Sequence, residues 1–211
     1  MKNPVVIFGA GTLGKIAVDI FNENDVLVYG FLDDKSELHS TEIGNVRVMG
    51  STDDGGMLKM VGNKTEAFLA VKNKDDRKQL ASMLNERRKT MPINAIHKSA
   101  VVSEEAIIGH GNLIGALSSI GPFAIIGDLT IIRSSVVIDA QAVVGDYTEI
   151  GSGSVINSKA TVDEGAFIGS NVTVISGVTV GKNARVGAGS VVIENVEENT
   201  TVFGNPAKKV G

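Results

Sequence analysis

From Ile96 to Val192 the chain places Ile or Val at every sixth position, seventeen times in succession. With about a third of local residues Ile, Leu or Val, chance agreement would be on the order of 10⁻⁸, so the stretch is an internal repeat. Four residues after each of these positions comes a small residue or Val, as at Ala100, Ala106, Ser118, Ala124, Thr130, Val136 and Ala142, with Asn112 the one larger exception. Nine of the seventeen residues directly after the Ile or Val are Gly. A six-residue unit is too short to hold a helix and suits a short strand followed by a tight corner. The Ile or Val would point inward and the small residue would fit beneath the corner. Gly would supply the positive φ that a corner often needs. Three units then form an 18-residue triangular coil, and coils stack about 4.8 Å apart. Seventeen units give between five and six coils. A β-sandwich would instead show period-two alternation, which this stretch lacks.

The first ninety or so residues follow a different pattern. Residues 4–8 form an apolar strand, then Gly9-Ala10-Gly11-Thr12-Leu13-Gly14 leads into a helical stretch reaching about Asn22. A second strand over 26–32 ends in Asp33-Asp34, about 20 residues past the last glycine. This is G-x-G-x-x-G between strand and helix with an acid at nucleotide-binding distance. The glycines permit close backbone approach, and the helix N-terminus offers N–H groups to phosphate. The alternative is that Gly9, Gly11 and Gly14 only make a tight turn. A helix candidate follows Ser51, residues 67–71 read as a strand, and 75–88 read as helix. About four strands make half a dinucleotide fold, sized for a mononucleotide. The fold class expected is thus a small Rossmann-like α/β domain over 1–92 and an all-β, β-helical domain over 93–195. A C-terminal tail covers 196–211.

Composition narrows the function. The 211 residues are 43% hydrophobic and 21% charged with a net charge of −4, which favours neither nucleic acid nor an anionic membrane as partner. No apolar run approaches membrane-spanning length and the N-terminus lacks a signal-peptide layout, so a cytoplasmic location is expected. The absence of Cys removes disulfides, thiolate catalysis and Cys-ligated zinc together. With 25 Gly, no Trp and 4% aromatics, the core is expected to be built from small and β-branched residues.

The six-residue period resembles that of the hexapeptide-repeat acyltransferases, and the resemblance implies left-handed coils. VVIFGAGTLGK, GFLDD, NAIHKSAVVS, VGAGSVV and the closing FGNPAKK extend it to nearly the whole chain. The narrower group it resembles is the sialic-acid O-acetyltransferase and nucleotide-aminosugar N-acetyltransferase family. The resemblance implies a nucleotide-activated sugar in the N-terminal domain, with Gly9 and the segment Gly11, Thr12, Leu13 and Gly14 near the phosphates. Asp33 or Asp34 would lie at the base, and Asn73 and Arg77 on a loop facing this pocket. It also implies a homotrimer with acetyl-CoA along the coils between two subunits. Backbone N–H groups near Ser158, Ser170, Ala188 and Gly189 would bind its thioester and pantetheine arm, with no metal. The segment Gly204-Asn205-Pro206-Ala207-Lys208 would close the adenine end.

Two departures bear on chemistry. Where the family glycine loop often reads Gly-Gly-His-Gly, this chain has Gly11-Thr12-Leu13-Gly14. Where the family shows Asp-His-Asp/Glu, this chain has Asp139-Ala140-Gln141. The histidine position is therefore Ala140 and its orienting acid Gln141. A second family histidine corresponds to Glu149, and a family glycine near the thioester to Ser158, followed by Lys159. Of the three histidines, His39 is expected on a surface loop, His97 is expected to be structural, and His110 sits on another face nearly two coils away. Two histidines in the repeat cannot reproduce the three-histidine zinc site of β-helical carbonic anhydrases.

A missing general base costs typically about 10²–10⁴-fold. A sugar amine with pKa near 8 is partly neutral at cellular pH and needs that base less than a hydroxyl does. Asp139 or Glu149 would accept the proton late, unless both are simply solvated residues. The expected function is acetyl-CoA-dependent acetylation of a nucleotide-linked amino sugar. The alternative is a trimeric, catalytically silent binder of nucleotide sugar or CoA.

Overall fold

Four consecutive apolar residues make β1 (Val5–Phe8), every one of them fully buried. Such a run marks a central strand covered on both faces. In the computed structural model, which describes residues 3–210, β1 lies between β2 (Val28–Leu32) and β5 (Glu66–Leu69), parallel to both. β2 in turn pairs in parallel with β4 (Val46–Gly50), and β3 (Glu42–Ile43) adds an antiparallel edge to β4. The sheet order is β3-β4-β2-β1-β5. The helix α1 (Thr12–Glu23) buries Leu13, Ala17, Ile20 and Phe21, whose spacing of three and four sets them on one face. Phe21 meets Phe68 of β5 edge-on, with ring centroids 5.6 Å apart. A single turn, α2 (Gly55–Leu58), and the longer α3 (Lys74–Arg88) complete this unit. The expectation of four strands is corrected to five. The strands not located in the sequence are β3 and β4, and the two-residue β3, too short to show a period, turns back through Gly44 at φ +62°.

The chain divides into two units, Met1–Ala95 and Ile96–Gly211. The second is a parallel β-helix. Seventeen two-residue strands run from Ala95–Ile96 to Val191–Val192, each ending on an Ile or Val of the six-residue period. Partners lie one coil apart, as in Ser119 with Val137 and Val137 with Val155, so the strands stack into three parallel sheets. From Ile114 to Val192 every periodic Ile or Val is at most 2% exposed. The large exception at the small-residue position, Asn112, is buried and satisfied. Its Nδ2 donates to the Gly127 carbonyl at 2.9 Å, and its Oδ1 accepts from the N–H and Oγ1 of Thr130 at 2.7 and 2.8 Å.

The corners correct one expectation. The glycine directly after each Ile or Val does not carry the positive φ. That falls two residues later, on Leu117, Phe123, Leu129, Ser135, Gln141, Tyr147 and Lys159 among others, with φ between 57° and 62°. These left-handed residues are held by their own N–H bonds to the preceding coil, as Gln141 to Pro122 at 3.0 Å and Lys159 to Ala140 at 3.1 Å. The glycine is needed for close approach. A Cβ at Gly121, Gly145 or Gly151 would lie 2.8, 2.6 or 2.5 Å from the backbone nitrogen of Ala140, Glu164 or Ser170 in the next coil. After Val192 the chain returns to the same stack. Thr201–Phe203 pairs in parallel with Arg185–Val186, and Lys208–Lys209 folds back antiparallel on it.

Candidate functional site

The glycine segment does two kinds of work. Gly9 has φ +105°, and a Cβ there would sit 2.8 Å from the Ala70 carbonyl oxygen. At Gly14 a Cβ would fall on the Gly9 carbonyl oxygen, so this residue lets α1 pack on the strands. Gly11, the N-cap of α1, is different: its absent side chain faces open space, and it supplies no side-chain cap. The first-turn N–H groups from Thr12 onward thus begin at an uncrowded helix end. Thr12 is exposed, whereas Leu13 is buried in the core.

Both acids after β2 are tied to backbone. Asp33 accepts from the Ala10 N–H through Oδ2 at 2.8 Å and from the Lys35 N–H through Oδ1 at 3.0 Å. Asp34 Oδ1 accepts from the N–H and hydroxyl of Thr52, both at 2.8 Å. They line a cavity of about 410 Å³ together with Gly9, Thr52, Val71 and Asp76. The lining also includes Lys35, so three carboxylates that can accept from N–H and O–H donors stand beside one cation. Asn73 and Arg77 serve the loop itself. The Asn73 Oδ1 caps α3 by accepting from the N–H groups of Asp75 and Asp76 at 2.8 and 3.1 Å. Arg77 is 2% exposed, and its Nη1 donates to the carbonyls of Val71 and Lys72 at 2.7 and 3.1 Å. Each therefore places a cavity-lining neighbour. His39 also reaches this region, its Nε2 lying 2.7 Å from the Asp33 carbonyl oxygen, to which it donates.

In the β-helix, Asp139, Ala140 and Gln141 form the corner after the strand Val137–Ile138. The next coil places Asn157, Ser158 and Lys159 at the same corner, after Val155–Ile156. Asp139 Oδ1 accepts from the Ala140 N–H at 2.7 Å, and the Ser158 hydroxyl donates to Asp139 Oδ2 at 2.5 Å. The Ser158 hydroxyl, helped by the Ala140 N–H, holds the Asp139 carboxyl below the usual carboxylate range. Asp139 and Ser158 are half-buried, and Gln141 and Lys159 are exposed. Glu149 lies in the strand Glu149–Ile150 of a different sheet and is ion-paired with Arg133, Nη2 to Oε1 2.9 Å. Within one chain, the candidate catalytic residues are thus split between a corner and another face.

Ser170, Ala188 and Gly189 stack on the corner that follows Phe167–Ile168 and Arg185–Val186, where the Gly189 N–H donates to the Ser170 carbonyl at 2.8 Å. Ser158 is on another corner. His97 is a local anchor, its Nδ1 accepting from the N–H and hydroxyl of Ser99 at 3.1 and 2.9 Å. The N–H of His110 donates to Asp128 at 2.7 Å on the third corner. Among the described residues, no group of three His, Asp or Glu is placed to hold a metal ion, and no helix is long and apolar enough to cross a membrane. The sequence reading missed Thr52 and Asp76 as cavity residues and the bond between Asp139 and Ser158.

Two family models match the chain. The PglD N-terminal domain covers residues 4–84, and the bacterial transferase hexapeptide (six repeats) covers 105–140 and 159–194. No curated protein sequence matches it. Among solved structures it is similar to PerB from Caulobacter crescentus, at 29% identity and a TM-score of 0.89, over 100% of this chain and 99% of that one, and to a variant of perosamine N-acetyltransferase from the same organism at the same identity and TM-score, over 100% and 98%. PerB was crystallised with CoA and GDP-perosamine, and so was a variant of the N-acetyltransferase with one histidine replaced by alanine. The acetyltransferase domain of PglB from Neisseria gonorrhoeae FA1090 is 25% identical, with a TM-score of 0.90 over 99% of this chain and 100% of that one. WeeI from Acinetobacter baumannii AYE, 23% identical with a TM-score of 0.72 over 98% of this chain and 99% of that one, shares the fold. The chain joins a PglD-type N-terminal domain to a bacterial transferase hexapeptide repeat, and over its length it resembles solved sugar acetyltransferases.

Proposed function

We propose that the protein transfers an acetyl group from acetyl-CoA to an amine on a nucleotide-linked sugar. The observation that carries this reading is the whole-length likeness to an N-acetyltransferase crystallised with CoA and GDP-perosamine. The cavity of Gly9, Asp33, Asp34 and Asp76 takes the nucleoside, and the open helix end at Gly11 takes its phosphates. Acetyl-CoA, a co-substrate, lies along the coils between two subunits of a homotrimer. The outward strand residues Val101, Val137, Ile107 and Ile125, all exposed in the single chain, supply apolar surface for that association. Trimer formation brings the Ser158 corner of one subunit to the column of Ser170, Ala188 and Gly189 on its neighbour.

An amine acceptor suits a site whose usual base position is Ala140. A neutral amine attacks a thioester without prior deprotonation once it is held in place and the oxyanion is stabilised. A hydroxyl does not, so N-acetylation is favoured over O-acetylation. The test is CoA release from acetyl-CoA in the presence of UDP- and GDP-linked amino sugars, read with a thiol reagent. The chain has no cysteine, so the protein itself adds no thiol signal. Release that requires the amino sugar supports the reading. A second reading, a silent binder, is favoured by the Arg133–Glu149 ion pair, which removes one candidate base. Tight nucleotide-sugar binding with no CoA release over hours would select it.

A further inference from the structure

We propose that Ser158 and Asp139 form a proton relay that takes the place of the absent histidine, with Ser158 Oγ receiving the amine proton and Asp139 Oδ2 accepting the proton that Ser158 gives up. The inference rests on the amine acetyltransferase reading above. Ser158 lies one coil beneath Ala140, the position where the family histidine would stand, and its hydroxyl already points its proton at Asp139 across 2.5 Å. The Ala140 N–H at 2.7 Å fixes the other carboxylate oxygen, so Oδ2 is left aimed at the serine. Both residues are half-buried, so neither is sealed inside the coil. At this corner the coil above contributes Gly121, Pro122 and Phe123, and the coil below Asn157, Ser158 and Lys159. Lys159 is therefore the charged neighbour. Glu149 is committed to Arg133 and is not part of the relay.

The steps balance. The amine lone pair attacks the thioester carbonyl carbon, forming the C–N bond and an oxyanion. The nitrogen, now positively charged, passes a proton to Ser158 Oγ as the serine proton moves to Asp139 Oδ2. The oxyanion then re-forms the carbonyl and the C–S bond breaks. CoA leaves as thiolate and takes the proton from Asp139. A carboxylate of depressed pKa is a weak final acceptor. It is adequate here because the donor is the acidic ammonium of the tetrahedral adduct, whose deprotonation prevents the amine from leaving again. Asp139 is ionised throughout the working range, so the wild-type pH profile should follow the amine alone.

The experiment compares wild type with Ser158→Ala, Asp139→Asn, the double variant and Ser158→Thr in the intact protein. The relay requires that each of the first two lowers kcat about 10–100-fold, with KM changed less than about threefold. It also requires that the double variant is no slower than the worse single one, and that Thr, which keeps the hydroxyl, retains most activity. In the free protein, the Asp139 carboxyl followed by carbon NMR should titrate below the ordinary range and move up toward it in Ser158→Ala. An active wild type whose Ser158→Ala form keeps its kcat overturns the relay and leaves the function standing. An unmoved Asp139 titration overturns it too. A wild type that releases no CoA with any amino sugar overturns both.

Discussion

Ala140 is where a substitution should report most directly on chemistry. Ala140→His with Gln141→Glu restores an imidazole and an acid at the corner, and turnover should rise by about 10²-fold. The rate should gain a limb near pH 6.5, the ordinary histidine value, where the wild type shows none. Steady-state rates from pH 5 to 9 check both. Asp139 gives a second pH signature. Its folded pKa lies below the unfolded value near 3.9, so its stabilisation is complete above that pH and disappears as pH falls through the folded value. The melting temperature of wild type should exceed that of Ser158→Ala above pH 4, and the gap should narrow on further acidification. Gly151→Ala should destabilise by about 2–3 kcal/mol in urea unfolding, because the new Cβ would meet the Ser170 nitrogen at 2.5 Å. The periodic Ile and Val were legible one by one in the sequence. The glycine role was not, because an observed Gly equally suits a positive φ and a close contact, and only the coil beneath decides between them.

Among elements, the helix α3 shows how a site is held from behind. Arg77→Ala would leave the Val71 and Lys72 carbonyls without their buried donor, at a cost of about 2–3 kcal/mol. Calorimetric titration with a nucleotide sugar should show weaker binding as well, since Val71 lines the cavity. The sequence placed β1, α1, β2, β5 and α3 within a few residues of where they stand, since long apolar runs and capped periodic stretches announce themselves. It missed the β3–β4 hairpin, whose first strand is the two residues Glu42–Ile43. It placed Asn73 and Arg77 on a loop facing the pocket, and the bonds by which they order that loop were not visible in it. The Asp139–Ser158 bond escaped for another reason. A separation of 19 residues has no meaning along a strand or helix, and becomes a contact only once coils of 18 are stacked.

For the whole molecule, assembly is the main expectation. Paired Val137→Glu and Ile125→Glu changes put charge on two outward faces that are apolar in the single chain. On the proposed homotrimer, analytical ultracentrifugation should show a trimer for wild type and a monomer for the variant, and CoA release should fall with it. The nucleotide-sugar binding proposed for the N-terminal domain should be unchanged in the same variant. The stacking register has a further consequence for how such a chain can change length. Backbone bonds join residues one coil apart from Val101 to Val192, with Ser119 opposite Val137 and Val137 opposite Val155. One residue lost between Val137 and Val155 would turn every later side chain inside out relative to its partner above. Eighteen lost together would close the gap with like meeting like. The domain can therefore grow or shrink only in whole storeys, and a shorter or longer relative should differ by a multiple of that length or bulge at a corner.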